Sequence, residues 1–176
     1  MLPDPLHPIV VHFPVVLSIL LPVVAVGSLW AIHRGARPLR AWGVAIAVAA
    51  ALTLSAFVAV ETGEDQEERV EKVVAESRLD AHADAGEALY FVSIGVLALL
   101  ALGLMPGDKG RIVRYVGAVG TLTVAAAAFK VGTTGGDLVY KYNAASAYAT
   151  SDTASAGAER GDNAESKDEK DEKGED

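Results

Sequence analysis

Four histidines are the side chains of this sequence best suited to bind a metal or carry a proton, and three of them border long apolar runs. His7 and His12 sit in Leu6-His7-Pro8-Ile9-Val10-Val11-His12-Phe13-Pro14, at the mouth of the first run. His82 leads into the third run through His82-Ala83-Asp84-Ala85-Gly86-Glu87, and His33 follows the first in a basic turn. The chain has no cysteine. Disulfides, thiolate sites, iron–sulfur clusters and c-type haem attachment are thereby excluded, leaving His, Asp, Glu and Tyr as ligands. No H-E-x-x-H or similar local metal motif occurs, and hydrolytic or transferase chemistry has no nucleophile signature. The chemistry open to these residues is ligation, electron transfer or proton handling.

The elements that must position them are apolar helices. Of 176 residues, four blocks at 9–32, 41–60, 88–105 and 113–131 hold most of the apolar content. Each is about as long as is needed to cross roughly 30 Å of hydrocarbon. The fold expected is an all-α, up-down bundle of four transmembrane helices, with an amphipathic extracytoplasmic segment between helices 2 and 3. Pro8 suits a first helical turn, whereas Pro14 and Pro22 fall inside helix 1 and are expected to bend it. In the segment after helix 2, Val70, Val73, Val74 and Ala81 form one narrow face, read as a short helix resting on the membrane or on the bundle end. Helix 4 is expected to close over Lys130-Val131-Gly132-Thr133-Thr134-Gly135-Gly136-Asp137. Residues 1–143 form the membrane domain, and 144–176, rich in Ala and Ser and then in Asp, Glu and Lys, are expected to be a disordered acidic tail.

Charge sets the expected orientation. The turns between helices 1 and 2 and between helices 3 and 4 carry Arg34, Arg37, Arg40, Lys109, Arg111 and Arg114, with Asp108 their only acid. They are assigned to the cytoplasm, and both termini to the outside of the cell (inner) membrane, in a multi-pass arrangement. Four crossings then bring the starts of helices 1 and 3 and the ends of helices 2 and 4 to one face. His7, His12, His82, Glu87, Glu61, Glu64, Lys130, Asp137 and Tyr140 converge there, with His33 alone on the other side.

The opening motif, together with Gly132-x-x-Gly135-Gly136-x-Leu138-Val139-Tyr140, resembles the prokaryotic membrane family designated domain of unknown function twenty-two thirty-one, over roughly residues 5–143. The resemblance implies four transmembrane helices, a plan similar to small b-type cytochromes, and a place in respiratory electron transfer. It points to His7, His12, His82, Gly132, Gly135 and Gly136. Val131 replaces a threonine common in the family, and Lys141-Tyr142-Asn143 follows the tyrosine.

Three readings of the site follow. In the first, a b-type haem near the outer face has His12 and His82 as axial ligands, with Gly86, Gly132, Gly135 and Gly136 giving the macrocycle room and Lys130 meeting a propionate. His7 lies about 140° from His12 around a regular helix, so the two do not serve one iron. In the second, a transition metal ion is held by His7, His12 and His82 with Glu61 or Asp137. In the third, an accessory or assembly subunit uses the polar cluster only to fix its helices, a salt bridge between Glu61 and Lys130 among them. Ion conduction lacks polar side chains through the helix centres. The partners expected are the lipid bilayer, a respiratory redox protein and further copies of the chain, and not nucleic acid.

Overall fold

The computed structural model describes residues 6–148. They form α1 (His7–Val10), α2 (His12–His33), α3 (Pro38–Val70), α4 (Glu76–Leu102) and α5 (Gly107–Tyr140). Taking α1 and α2 as one path, four helices are long and apolar enough to cross a membrane. Each packs on its neighbours in the chain, and α5 closes the ring against α2. This is the expected up-down bundle, in which α2 and α4 stand diagonally opposed.

The bundle interior mixes small side chains with a few large ones, Trp42, Leu21, Leu52 and Leu100, and its outside is clothed in large ones. Ala25, Ala45, Ala49, Ser18, Ser93 and Thr121 are buried, letting the backbones approach, while Phe13, Ile19, Leu54 and Phe129 point outward and are more than 60% exposed. In lipid, association depends on such close packing because outward leucines lose nothing there. Ser18, Ser93 and Thr121 donate to carbonyls of their own helices, Ser18 to Pro14 at 2.6 Å, Ser93 to Tyr90 at 2.7 Å and Thr121 to Ala118 at 2.6 Å.

Pro14 cannot donate to the Val10 carbonyl, and the first helix breaks at Val11. The chain resumes helix at His12, which puts Pro14 in the first turn of α2, where its missing N–H costs little. Of the two prolines expected to lie inside helix 1, only Pro22 does.

Two expected breaks are absent. The acidic segment is not a separate surface helix: α3 runs on to Val70, the chain turns, and α4 begins at Glu76. Val70, Val74 and Leu79 are buried against Leu138 and Ala144, so two of the four residues of the apolar stripe cap the bundle, while Val73 and Ala81 are exposed. The glycine run after Lys130 is helical as well. There the Thr133 hydroxyl donates to the Lys130 carbonyl at 2.8 Å, and Thr134 to those of Lys130 and Val131 at 3.1 and 3.0 Å. Residues 144–148, the start of the expected tail, join the cap, with Tyr148 Oη donating to Gln66 Oε1 at 3.2 Å. The rest of that tail lies outside the described residues.

The end of the bundle away from the cap is closed around the last turn of α4. The indole Nε1 of Trp42 donates to the Leu100 carbonyl at 2.8 Å, and the buried Arg114 guanidinium to that of Gly103 at 2.6 Å. The Leu100 carbonyl also accepts the Gly103 N–H at 3.0 Å, and a cation such as Arg114 at a helix C-terminus is favourable. The turn from α4 into α5 is tight enough that a β-carbon at Gly110 would overlap the Met105 carbonyl.

The two halves of the chain repeat. Pro14, Ser18, Leu21, Ala25 and Ser28, buried on α2, recur at the same spacing as Leu89, Ser93, Val96, Leu100 and Gly103 on α4. Trp42, Ala45, Ala49, Leu52 and Ala56 on α3 recur as Arg114, Gly117, Thr121, Val124 and Ala128 on α5. The bundle is thus two helical hairpins related by an approximate two-fold axis running along its length.

Candidate functional site: a paired histidine centre

His7 and His82 extend this repeat to the capped end. His7 stands eleven residues before Ser18, and His82 eleven before Ser93. Both serines are buried, so both histidines lie on helix faces that turn inward. Their rings meet with centroids 6.3 Å apart and planes at 86°. Because they come from diagonal members of the ring, this contact spans the middle of the bundle.

Each imidazole is held by the hairpin partner of its own helix. His7 Nδ1 is 3.3 Å from Thr62 Oγ1 on α3, and His82 Nδ1 is 2.9 Å from Thr134 Oγ1 on α5. Thr62 in turn donates to the Val58 and Ala59 carbonyls at 2.8 and 3.2 Å, as Thr134 does to Lys130 and Val131.

A glycine follows each threonine. A β-carbon at Gly63 would lie 3.1 Å from His7 Cε1, and one at Gly135 2.9 Å from His82 Cε1. The rings therefore rest directly on the backbones of α3 and α5. The local sequence that builds each seat is the same, Thr-Gly-x-Asp, as Thr62-Gly63-Glu64-Asp65 and Thr134-Gly135-Gly136-Asp137.

The other expected site residues are placed differently. His12 is exposed on α2, on the side that also presents Phe13, Val16, Ile19 and Val23 outward, and it is His7 that meets His82. Glu61 and Lys130 are both exposed, and no ion pair joins them. Asp137 pairs with Lys141 at 2.8 Å, and its hydrogen bond, then its charge, raises the Lys141 pKa above the ordinary value. Among the described residues no three His, Asp or Glu side chains gather as metal ligands. Of the glycines, Gly135 lies under the His82 ring, Gly86 faces Val60, and Gly132 and Gly136 have open space beside them.

Thr62, Gly63 and Thr134 had not been singled out among the candidate residues. The signal that finds them is the repeated Thr-Gly-x-Asp, read together with the His-x10-Ser spacing on the preceding helix of each half. Family models, curated proteins and solved structures offer no match to this chain. The reading of the site accordingly rests on its own geometry.

Proposed function

We propose that the protein is a multi-pass membrane electron-transfer component that binds one b-type haem between His7 and His82, close to the extracytoplasmic face. The observation that carries this reading is the pair of imidazoles meeting across the bundle at 6.3 Å. With metal–nitrogen bonds of about 2.0 Å and about 1.1 Å from nitrogen to ring centre, two imidazoles on one ion have centres about 6 Å apart.

The number of protein ligands favours haem over a bare ion. Structural zinc takes four protein ligands and catalytic zinc three. The described residues bring only two histidines together, and Glu61 and Asp137 do not join them. Haem iron would ask only two ligands of the protein, and His7 and His82 would supply them in place of the pair His12 and His82. When bound, the haem supplies a one-electron couple; the protein's part is to hold the two imidazoles and to exclude competing ligands.

Orientation completes the proposal. The basic turns that hold Arg34, Arg37, Arg40, Lys109 and Arg111 belong on the cytoplasmic side, and the histidine end, with the acidic cap over it, faces outward toward a redox partner. The full chain, expressed with ample haem and purified, is expected to show a Soret band with reducible bands at longer wavelength. His7→Ala and His82→Ala should each lose or shift it, whereas His12→Ala should leave it unchanged. A wild-type spectrum without a Soret band, or a band lost with His12 and kept without His7, would overturn the assignment.

A further inference from the structure

We infer that Thr62 and Thr134 are matched positioning residues that fix both histidines as the Nδ1–H tautomer and so leave Nε2 of each as the ligating nitrogen. This rests on the reading of His7 and His82 as the ligand pair. The argument is one of proton accounting. A threonine hydroxyl has a single proton, and both of these direct it to carbonyls of their own helix, Thr62 to Val58 and Ala59, Thr134 to Lys130 and Val131. Each oxygen can then only accept from the imidazole beside it, at 3.3 Å for His7 and 2.9 Å for His82. A neutral imidazole that donates from Nδ1 has its lone pair on Nε2.

The glycines complete the seat. Gly63 and Gly135 let the Cε1 edges lie on the helix backbone, where a methyl group would displace them. The same His, Thr and Gly serve both rings, so the two halves present equivalent nitrogens to whatever lies on the axis between them. A residue that anchors the far nitrogen of a ligating histidine sets its orientation and basicity, and its loss typically weakens the metal centre about 10- to 100-fold.

The test reads the tautomers directly. Full-length protein, isotopically labelled with 15N and prepared without haem in lipid nanodiscs at about pH 8, above the ordinary imidazole range, is examined by long-range 1H–15N correlation. His7 and His82 should both show a protonated Nδ1 and a bare Nε2, and His12, exposed, should show the mixture of an unconstrained ring. Thr134→Val should release His82 from that pattern, and Thr134→Ser should restore it. Ferric haem added to the same samples should bind about 10- to 100-fold more weakly to Thr134→Val than to wild type or Thr134→Ser. A protonated Nε2 on either ring in the wild type refutes the inference. Correct tautomers with no haem binding in any sample would leave the tautomer assignment standing and remove the haem reading.

Discussion

An alanine at Gly135 or at Gly63 puts one methyl group under an imidazole, within 2.9 or 3.1 Å of its Cε1. In a helix interior the same change favours folding by about 1 kcal/mol. The two effects act on different observables. Gly135→Ala and Gly63→Ala are expected to melt no lower than wild type in detergent and yet to lose haem affinity. Gly132→Ala, with open space at that position, should gain the stability and keep the affinity. Melting followed by circular dichroism and a haem titration on the same preparations separate them. Loss of affinity in Gly132→Ala to the same extent would mean that the glycines act through helix flexibility and not through the seat of the ring.

At the scale of elements, the four apolar blocks were legible because a span needs length and apolarity, both of which sequence displays directly. The convergence of His7 and His82 on one face was legible too, since it follows from the parity of the crossings. The choice between His7 and His12 depended on rotational phase. His12 drew attention by lying deeper in the apolar run, but depth along a helix says nothing about which way a residue turns. The phase was present in the pattern: Pro14, Ser18, Leu21 and Ala25 follow His7 on one buried face, while Val16, Ile19 and Val23 follow His12 on the exposed one. The helix ends were less legible, because acidic residues and glycines read locally as breaks. Packing overrode them, through the cap of Val70, Val74 and Leu79 around the turn from α3 to α4 and the seat of His82 on α5.

The opposite end of the same elements offers its own test. Trp42 and Arg114 hold the last turn of α4, and Gly110 allows α5 to start against the Met105 carbonyl. Trp42→Phe removes the indole donor and leaves the Leu100 carbonyl the Gly103 N–H alone, and should cost about 0.5–1.5 kcal/mol. Gly110→Ala forces a methyl group against backbone and should cost about 1–3 kcal/mol, as overpacking does. Gly43→Ala, with open space around it on α3, should be no less stable than wild type. Thermal melts in one detergent check all three, and equal destabilisation at Gly43 and Gly110 would contradict the packing described.

For the molecule as a whole, the approximate two-fold repeat makes each half a helical hairpin with one histidine, one threonine and one glycine of the site. Cutting the chain in the turn between α3 and α4 leaves both hairpins intact. The two fragments, co-expressed, are expected to co-purify as one bundle and to regain the optical spectrum of the uncut protein; either fragment alone has half a site and should show none. Fragments that fold and bind haem separately would argue against a centre shared across the axis.

The repeat is broken in one respect. Beyond the level of the histidines, α4 continues about 9 Å, the rise of the turns between His82 and Glu76, whereas α1 begins at His7 itself and is interrupted after Val10. One imidazole is therefore rooted within a long helix and the other in a single turn. Short terminal turns open far more often than helix interiors. Amide hydrogens at Ile9, Val10 and Val11 should exchange well before those at Ala85 and Gly86, a difference that hydrogen-exchange spectra would reveal. On the proposed haem centre this gives a slow side and a fast side: ligand exchange is expected to begin by release from His7, with His82 retaining its hold, so that two equivalent nitrogens acquire unequal lifetimes.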